Sequence, residues 1–113
     1  MTFTTEDLGD VPNVTPAGMD EILATDVFGA FAILSASGEA FIQAGNDWQP
    51  DEDCRAFLDA HDSDPWLLEH RECGYQFRAV GHATLEQVRR AFRSYLTGGS
   101  EWRTGFAWSE LQL

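Results

Sequence analysis

The sequence predicts an α+β fold: a mainly antiparallel sheet of about five strands with two or three helices packed on it. Three observations point there. The hydrophobic period alternates along the chain in the order α-β-β-α-β-β-α-β. Two pairs of strands are separated only by short turn signals, at Ser37-Gly38 and around Gly74, as hairpins require. One C-terminal helix carries an apolar stripe that needs a sheet or a partner element to cover it.

The elements follow in order. Residues 1–14 show no clear period, and Pro12-Asn13 marks a break. Thr15-Pro16 is a helix-start signal, with Thr15 as cap and Pro16 in the first helical position, and Met19, Ile22 and Leu23 make a stripe through Ala24. Phe28 to Ala36 is short and nearly all apolar, which predicts a central strand covered on both faces. Glu39 to Ala44 returns as its hairpin partner. Pro50 and the acids Asp51, Glu52 and Asp53 predict a helix start, and Cys54, Phe57, Leu58 and His61 fall at helical spacing, giving a helix from Asp51 to Ala60. Trp66 to Glu72 and Tyr75 to Val80 read as a hairpin, with Tyr75, Phe77 and Ala79 on one face.

Thr84 and Gln87 form a capping box ahead of Leu85, Val88, Phe92, Tyr95 and Leu96, and Gly98 can take the left-handed cap. Beyond it the period predicts a terminal strand with Trp102, Thr104, Phe106 and Trp108 on one face, opposite Arg103, Gly105, Ala107 and Ser109. The 113 residues form one domain, 1–113, with an acidic helical insert at 46–65.

Charge carries the most information about function. Acids outnumber bases 19 to 7 for a net charge of −12, and every base is Arg. Residues 1–64 hold 14 of the acids and one base, Arg55. A negative field disfavours nucleic acid and anionic membranes as partners and favours a basic protein. No apolar run approaches 20 residues, and the first residues, M-T-F-T-T-E-D-L, lack a basic-then-apolar leader pattern. With two unpaired-looking cysteines this predicts a cytoplasmic, reduced protein.

Reactive constellations are weak. Cys54 and His61 lie two helical turns apart, too far for a direct hydrogen bond, and Cys73 and His70 would point to opposite strand faces. Cys54, His61, His70 and Cys73 match no zinc spacing, and the acids of the insert lack a calcium-loop pattern. The expectation is no catalysis, no metal and no cofactor. Glu69, Arg71 and Arg78 read as cross-strand charge pairs. Trp48 and Trp66 flank the insert and Phe57 sits within it. Phe57 and Trp66 read as ties to the sheet, whereas Trp48 is a candidate interface anchor.

The segments F-I-Q-A at Phe41 to Ala44, L-L-E-H-R-E at Leu67 to Glu72, Q-F-R-A at Gln76 to Ala79, A-F-R-S-Y-L at Ala91 to Leu96 and F-A-W-S-E-L at Phe106 to Leu111 carry a resemblance. Over about two thirds of its length the chain resembles the small α+β immunity proteins of bacterial polymorphic toxin systems. The insert from Asp47 to Asp64 has no counterpart in that resemblance. The resemblance implies a non-catalytic inhibitor, monomeric or homodimeric, that binds a cognate nuclease- or deaminase-like toxin with a basic surface. Trp48, Asp51, Glu52, Asp53, Asp59, Asp62 and Asp64 are the expected contact residues, the carboxylates of the six acids standing in for phosphates. Two rival expectations are a ligand-binding or enzymatic domain with Tyr75, His70 or Arg78 lining a pocket between sheet and helix, and a structural or oligomerising module with a broad apolar patch.

Overall fold

Alternating burial builds the strands of this protein, and the direction of the buried set decides where its helices go. The computed structural model describes residues 1–25, 28–36 and 39–111. Seven strands form one sheet: β1 (Thr2–Thr5), β2 (Gly9–Pro12), β3 (Phe31–Ser35), β4 (Phe41–Asn46), β5 (Trp66–Glu72), β6 (Tyr75–Ala79) and β7 (Trp108–Glu110). Their order is β2-β1-β3-β4-β5-β6-β7, and each neighbouring pair is antiparallel. The described residues also form four helices: α1 (Pro16–Ala24), α2 (Glu52–His61), α3 (Leu85–Leu96) and α4 (Glu101–Thr104). Among the described residues no helix is long and apolar enough to cross a membrane.

In-register partners share a face. Phe3, Leu34, Ile42, His70 and Phe77 form one row across five strands. Thr5, Ala32, Ala44 and Leu68 form the next row. These two rows are the floor of the core. Met19 and Leu23 of α1, Val88, Ala91 and Phe92 of α3, and Trp102 of α4 close it from above. Phe92 meets Phe3 edge to face with centroids 6.2 Å apart, a favoured aromatic geometry. α1 and α3 are joined by a two-pronged bond from Arg89 Nε and Nη2 to the Asp20 carboxylate, both 3.0 Å.

The start of α3 follows its sequence closely. Gln87 N donates to Thr84 Oγ1 at 3.1 Å, and Thr84 N donates to Gln87 Oε1 at 2.9 Å. Gly98 has φ +78, the left-handed region that a side chain resists. Thr15 accepts from Gly18 N and caps α1, which runs from Pro16 to Ala24 as its signals predict.

Several expectations need correction. The sheet has seven strands rather than about five, because residues 1–14 form the β1–β2 hairpin. The hairpin's strands are only four residues each, and in β2 every residue is exposed or half-buried. β3 is shorter than expected and is covered on one face only. Ala32 and Leu34 are buried, while Ile33 is half-buried and Phe31 is 36% exposed. The β3–β4 pairing stands, but its turn at Ser37-Gly38 lies outside the described residues.

The predicted terminal strand is also overturned. Trp102 and Thr104 belong to α4, and only Trp108–Glu110 pair with β6. Helix hydrogen bonds to Ser100 and Glu101 fix this turn. They put Trp102 against Tyr95 at 5.0 Å, where an alternating strand would have carried it along the sheet.

α2 stands apart from this core. None of its residues joins the core cluster, and only Cys54 is buried. Phe92→Ala is therefore expected to lower stability by about 3–5 kcal/mol, while Phe57→Ala on α2 costs at most about 1 kcal/mol. Urea unfolding followed by far-UV circular dichroism measures both.

Candidate interaction surface

The insert is fastened mainly at a hydrogen-bonded neck and adds no residue to the core cluster. Asp47 N donates to Pro65 O at 3.0 Å, which adds a rung beyond the β4–β5 ladder. Asn46 Nδ2 donates to Asp64 Oδ2 at 2.9 Å. His82 Nε2 and Asp47 Oδ2 lie 2.7 Å apart. Ser63 Oγ accepts from Leu85 N at 2.9 Å, tying the insert to the first turn of α3. Inside the insert, Asp51 caps α2 by accepting from Cys54 N at 2.8 Å, and Asp62 ends it in the left-handed conformation with φ 51.

This arrangement sorts the expected contact residues. Asp51 and Asp64 spend an oxygen on structure, one at the cap and one at the neck. Glu52, Asp53, Asp59 and Asp62 are exposed and form no ion pair among the described residues. Trp48 is half-buried, with its backbone amide donating to Asn46 Oδ1 at 2.8 Å. Trp66 is 1% exposed and stacks on Phe28 at 5.4 Å, so it does anchor the sheet beside the insert. Phe57 lies against His61 and His82 instead of entering the core.

Topology adds acids that the sequence reading did not collect. The turn between β1 and β2, carrying Glu6 and Asp7, opens at the same end of the sheet as the insert and Asp47. Against these carboxylates stands Arg55, the only base between β4 and β5. Recognising the first hairpin would have revealed this gathering, but its short, largely exposed strands gave no period.

The opposite face of the sheet carries a polar network. Glu69 lies in register with Gln43 and Arg78. Its Oε1 accepts from Gln43 Nε2 at 2.8 Å and Gln76 Nε2 at 3.0 Å, and its Oε2 accepts from Arg78 Nε at 2.7 Å. Burial alone would raise the Glu69 carboxyl. The bonds from Gln43, Arg78 and Gln76, with the Arg78 charge, outweigh it and hold the group below its ordinary value. The predicted Glu69–Arg78 pair is thus present, whereas Arg71 pairs with Glu39 across the sheet at 3.4 Å.

Tyr75, His70 and Arg78, each expected as a lining residue of a pocket between sheet and helix, are not brought together. His70 faces the core and Arg78 the opposite side, while Tyr75 is 58% exposed. His70 is enclosed by Phe77, Trp102 and Trp108, all within 4.9 Å of its ring by centroid. Its Nδ1 lacks a hydrogen bond and sits 3.7 Å from Glu72 Oε1, whose other oxygen accepts from Arg103. Burial pushes the imidazole below its ordinary value, against the pull of Glu72. The Cys54 thiol accepts from Gln49 N, which lowers it. Burial and the Asp51 and Asp47 carboxylates win and raise it, the reverse of an activated nucleophile. Among the described residues no group of three or more His, Cys, Asp or Glu could hold a metal.

No family model, curated protein or solved structure matches the chain.

Three ionisable groups, two of them buried, set an acid limit on the fold. His70 binds its proton less tightly folded than unfolded, and so do Glu69 and Asp20. Their contributions are present above the unfolded values of 6.5, 4.5 and 3.8, and each is lost as pH falls through the lower folded value. Denaturant unfolding should show stability declining below pH 6.5 and again below 4.5. His70→Phe should flatten the first decline and Glu69→Gln should reduce the second.

Proposed function

We propose that this chain is a non-catalytic immunity protein of bacterial type, which binds a cognate toxin and covers its basic, phosphate-binding surface. One observation carries the reading. Glu6, Asp7, Asp47 and the carboxylates of the insert gather at one end of the sheet, where Glu52, Asp53, Asp59 and Asp62 are exposed and without ion-pair partners among the described residues. A nuclease or deaminase must attract phosphate, so its cleft is basic. A small domain with acids projecting from one end can present the complementary charge there, and the same field accelerates capture.

Further support comes from the division of labour in the chain. Apolar side chains fill the layer between the sheet and α1, α3 and α4, which gives shape. The acidic helix adds nothing to that core, and it costs something to keep, since like charges repel. An external partner is the physical reason to retain such a segment. On this reading Trp48, Asp51, Glu52, Asp53, Asp59, Asp62 and Asp64 form the contact region, with Asp51 and Asp64 holding the shape of the segment that carries the rest. An inhibitor of this kind meets its toxin where nucleic acid is, so it works in the cytoplasm.

The reading expects the neighbouring gene to encode a toxin domain, and the test uses that domain, with binding kinetics measured at low and high salt. Changing Glu52, Asp53, Asp59 and Asp62 to Gln or Asn is expected to slow association by about 10-fold or more and to flatten its salt dependence. Unfolding of the same variant should be no less cooperative than wild type. Salt-independent affinity, or full inhibition by the neutral variant, would reject the reading.

A further inference from the structure

Glycine within a strand weakens it, because it has no side chain to pack and it loses the most freedom on folding. Such a glycine usually answers a need for positive φ or for close approach of something else. Gly45 in β4 meets neither need among the described residues. Its φ is not in the left-handed region, and a Cβ built on it would touch nothing within 4 Å. The space that this leaves open is a groove of about 400 Å³ on the sheet face away from α1, α3 and α4. Phe31 and Leu67 flank Gly45 in register, Ile33 lies beside them, and Gln43 and Glu69 close the far side.

The groove has two further properties. Its lining is mainly apolar, and Phe31 within it is among the exposed large hydrophobic residues of the chain. It also opens at the acidic end of the sheet. Gly45 is two residues before Asp47, and Leu67 is three residues after Asp64, so the groove adjoins the neck of the insert. An apolar centre beside a charged margin is the anatomy of a protein-binding hot spot.

We infer that this groove is a second half of the partner-binding surface, built to receive one aromatic or long aliphatic side chain flanked by Arg or Lys on a basic protein. The occupant's chemistry follows from the two parts. The apolar channel selects the anchor side chain. The carboxylates of the neighbouring insert select positive charge around it, in a chain of net charge −12. Glu69 cannot be the charge that selects, because Gln43, Gln76 and Arg78 already occupy its oxygens. The inference rests on the inhibitor reading above and adds an anchor that charge alone does not supply.

Gly45→Val gives a direct test. Valine fills the channel and suits a strand better than glycine, so thermal unfolding of the variant should occur at or above the wild-type temperature. The probe is a library of randomised 12-residue peptides displayed on phage, selected in parallel on wild type, on Gly45→Val and on the variant with Glu52, Asp53, Asp59 and Asp62 neutralised. The expected winners on wild type carry an aromatic or Leu/Met residue flanked by Arg or Lys. As synthetic peptides they should bind Gly45→Val at least tenfold more weakly and the neutralised variant more weakly as well. Basic peptides that lack an apolar anchor and bind Gly45→Val at full strength would overturn the groove while leaving the inhibitor reading intact. Peptides indifferent to both variants would overturn both. Failure of any sequence to enrich on wild type counts against the groove, since an open hot spot captures short peptides.

Discussion

The fold depends on one-sided burial of the sheet. α3 presents Val88, Ala91 and Phe92 to a floor made by Phe3, Leu34, Ile42 and Leu68, and α1 and α4 extend that cover on either side. The bidentate Arg89–Asp20 bond holds α1 to α3, and the contact between Tyr95 and Trp102 holds α4. Everything else follows from the choice of face. Once the helices are committed to one side, the other side must be satisfied by its own side chains. It does so with the network around Glu69 and leaves the apolar channel at Gly45 uncovered.

This arrangement explains which parts were legible in the sequence. α1 and β5 begin and end where their signals place them, because a cap or a proline fixes each start and strong periods fix the bodies. α3 was equally clear, with both halves of its capping box in place. The errors came where local signals were short or where two periods overlapped. The four-residue strands of the first hairpin hold only two buried residues, Phe3 and Thr5, too few to make a pattern. Trp102 and Trp108 fit an alternating strand equally well on paper. The capture of Trp102 by Tyr95 and His70 is a tertiary event that no local pattern encodes.

The acidic residues were legible as a composition but not as a place. Asp51 and Asp62 are helix boundaries as well as charges, and Asp64 is a neck residue bound to Asn46. Glu6 and Asp7 are distant in sequence from the insert and reach the same end only through the order β2-β1-β3-β4-β5. The groove gave no sign in the sequence, because the pattern ended the strand at Ala44 whereas β4 runs on through Gly45 to Asn46. The significance of Gly45 depended on knowing that nothing among the described residues fills the space beside it.

The neck of the insert has a consequence for how this protein can change over generations. α2 is joined to the rest through Asp47, Asn46, Asp64 and Ser63, and it contributes no residue to the central cluster. Substitutions along its outer surface therefore leave folding almost untouched. Such a segment can drift, lengthen or be exchanged while the scaffold beneath stays constant.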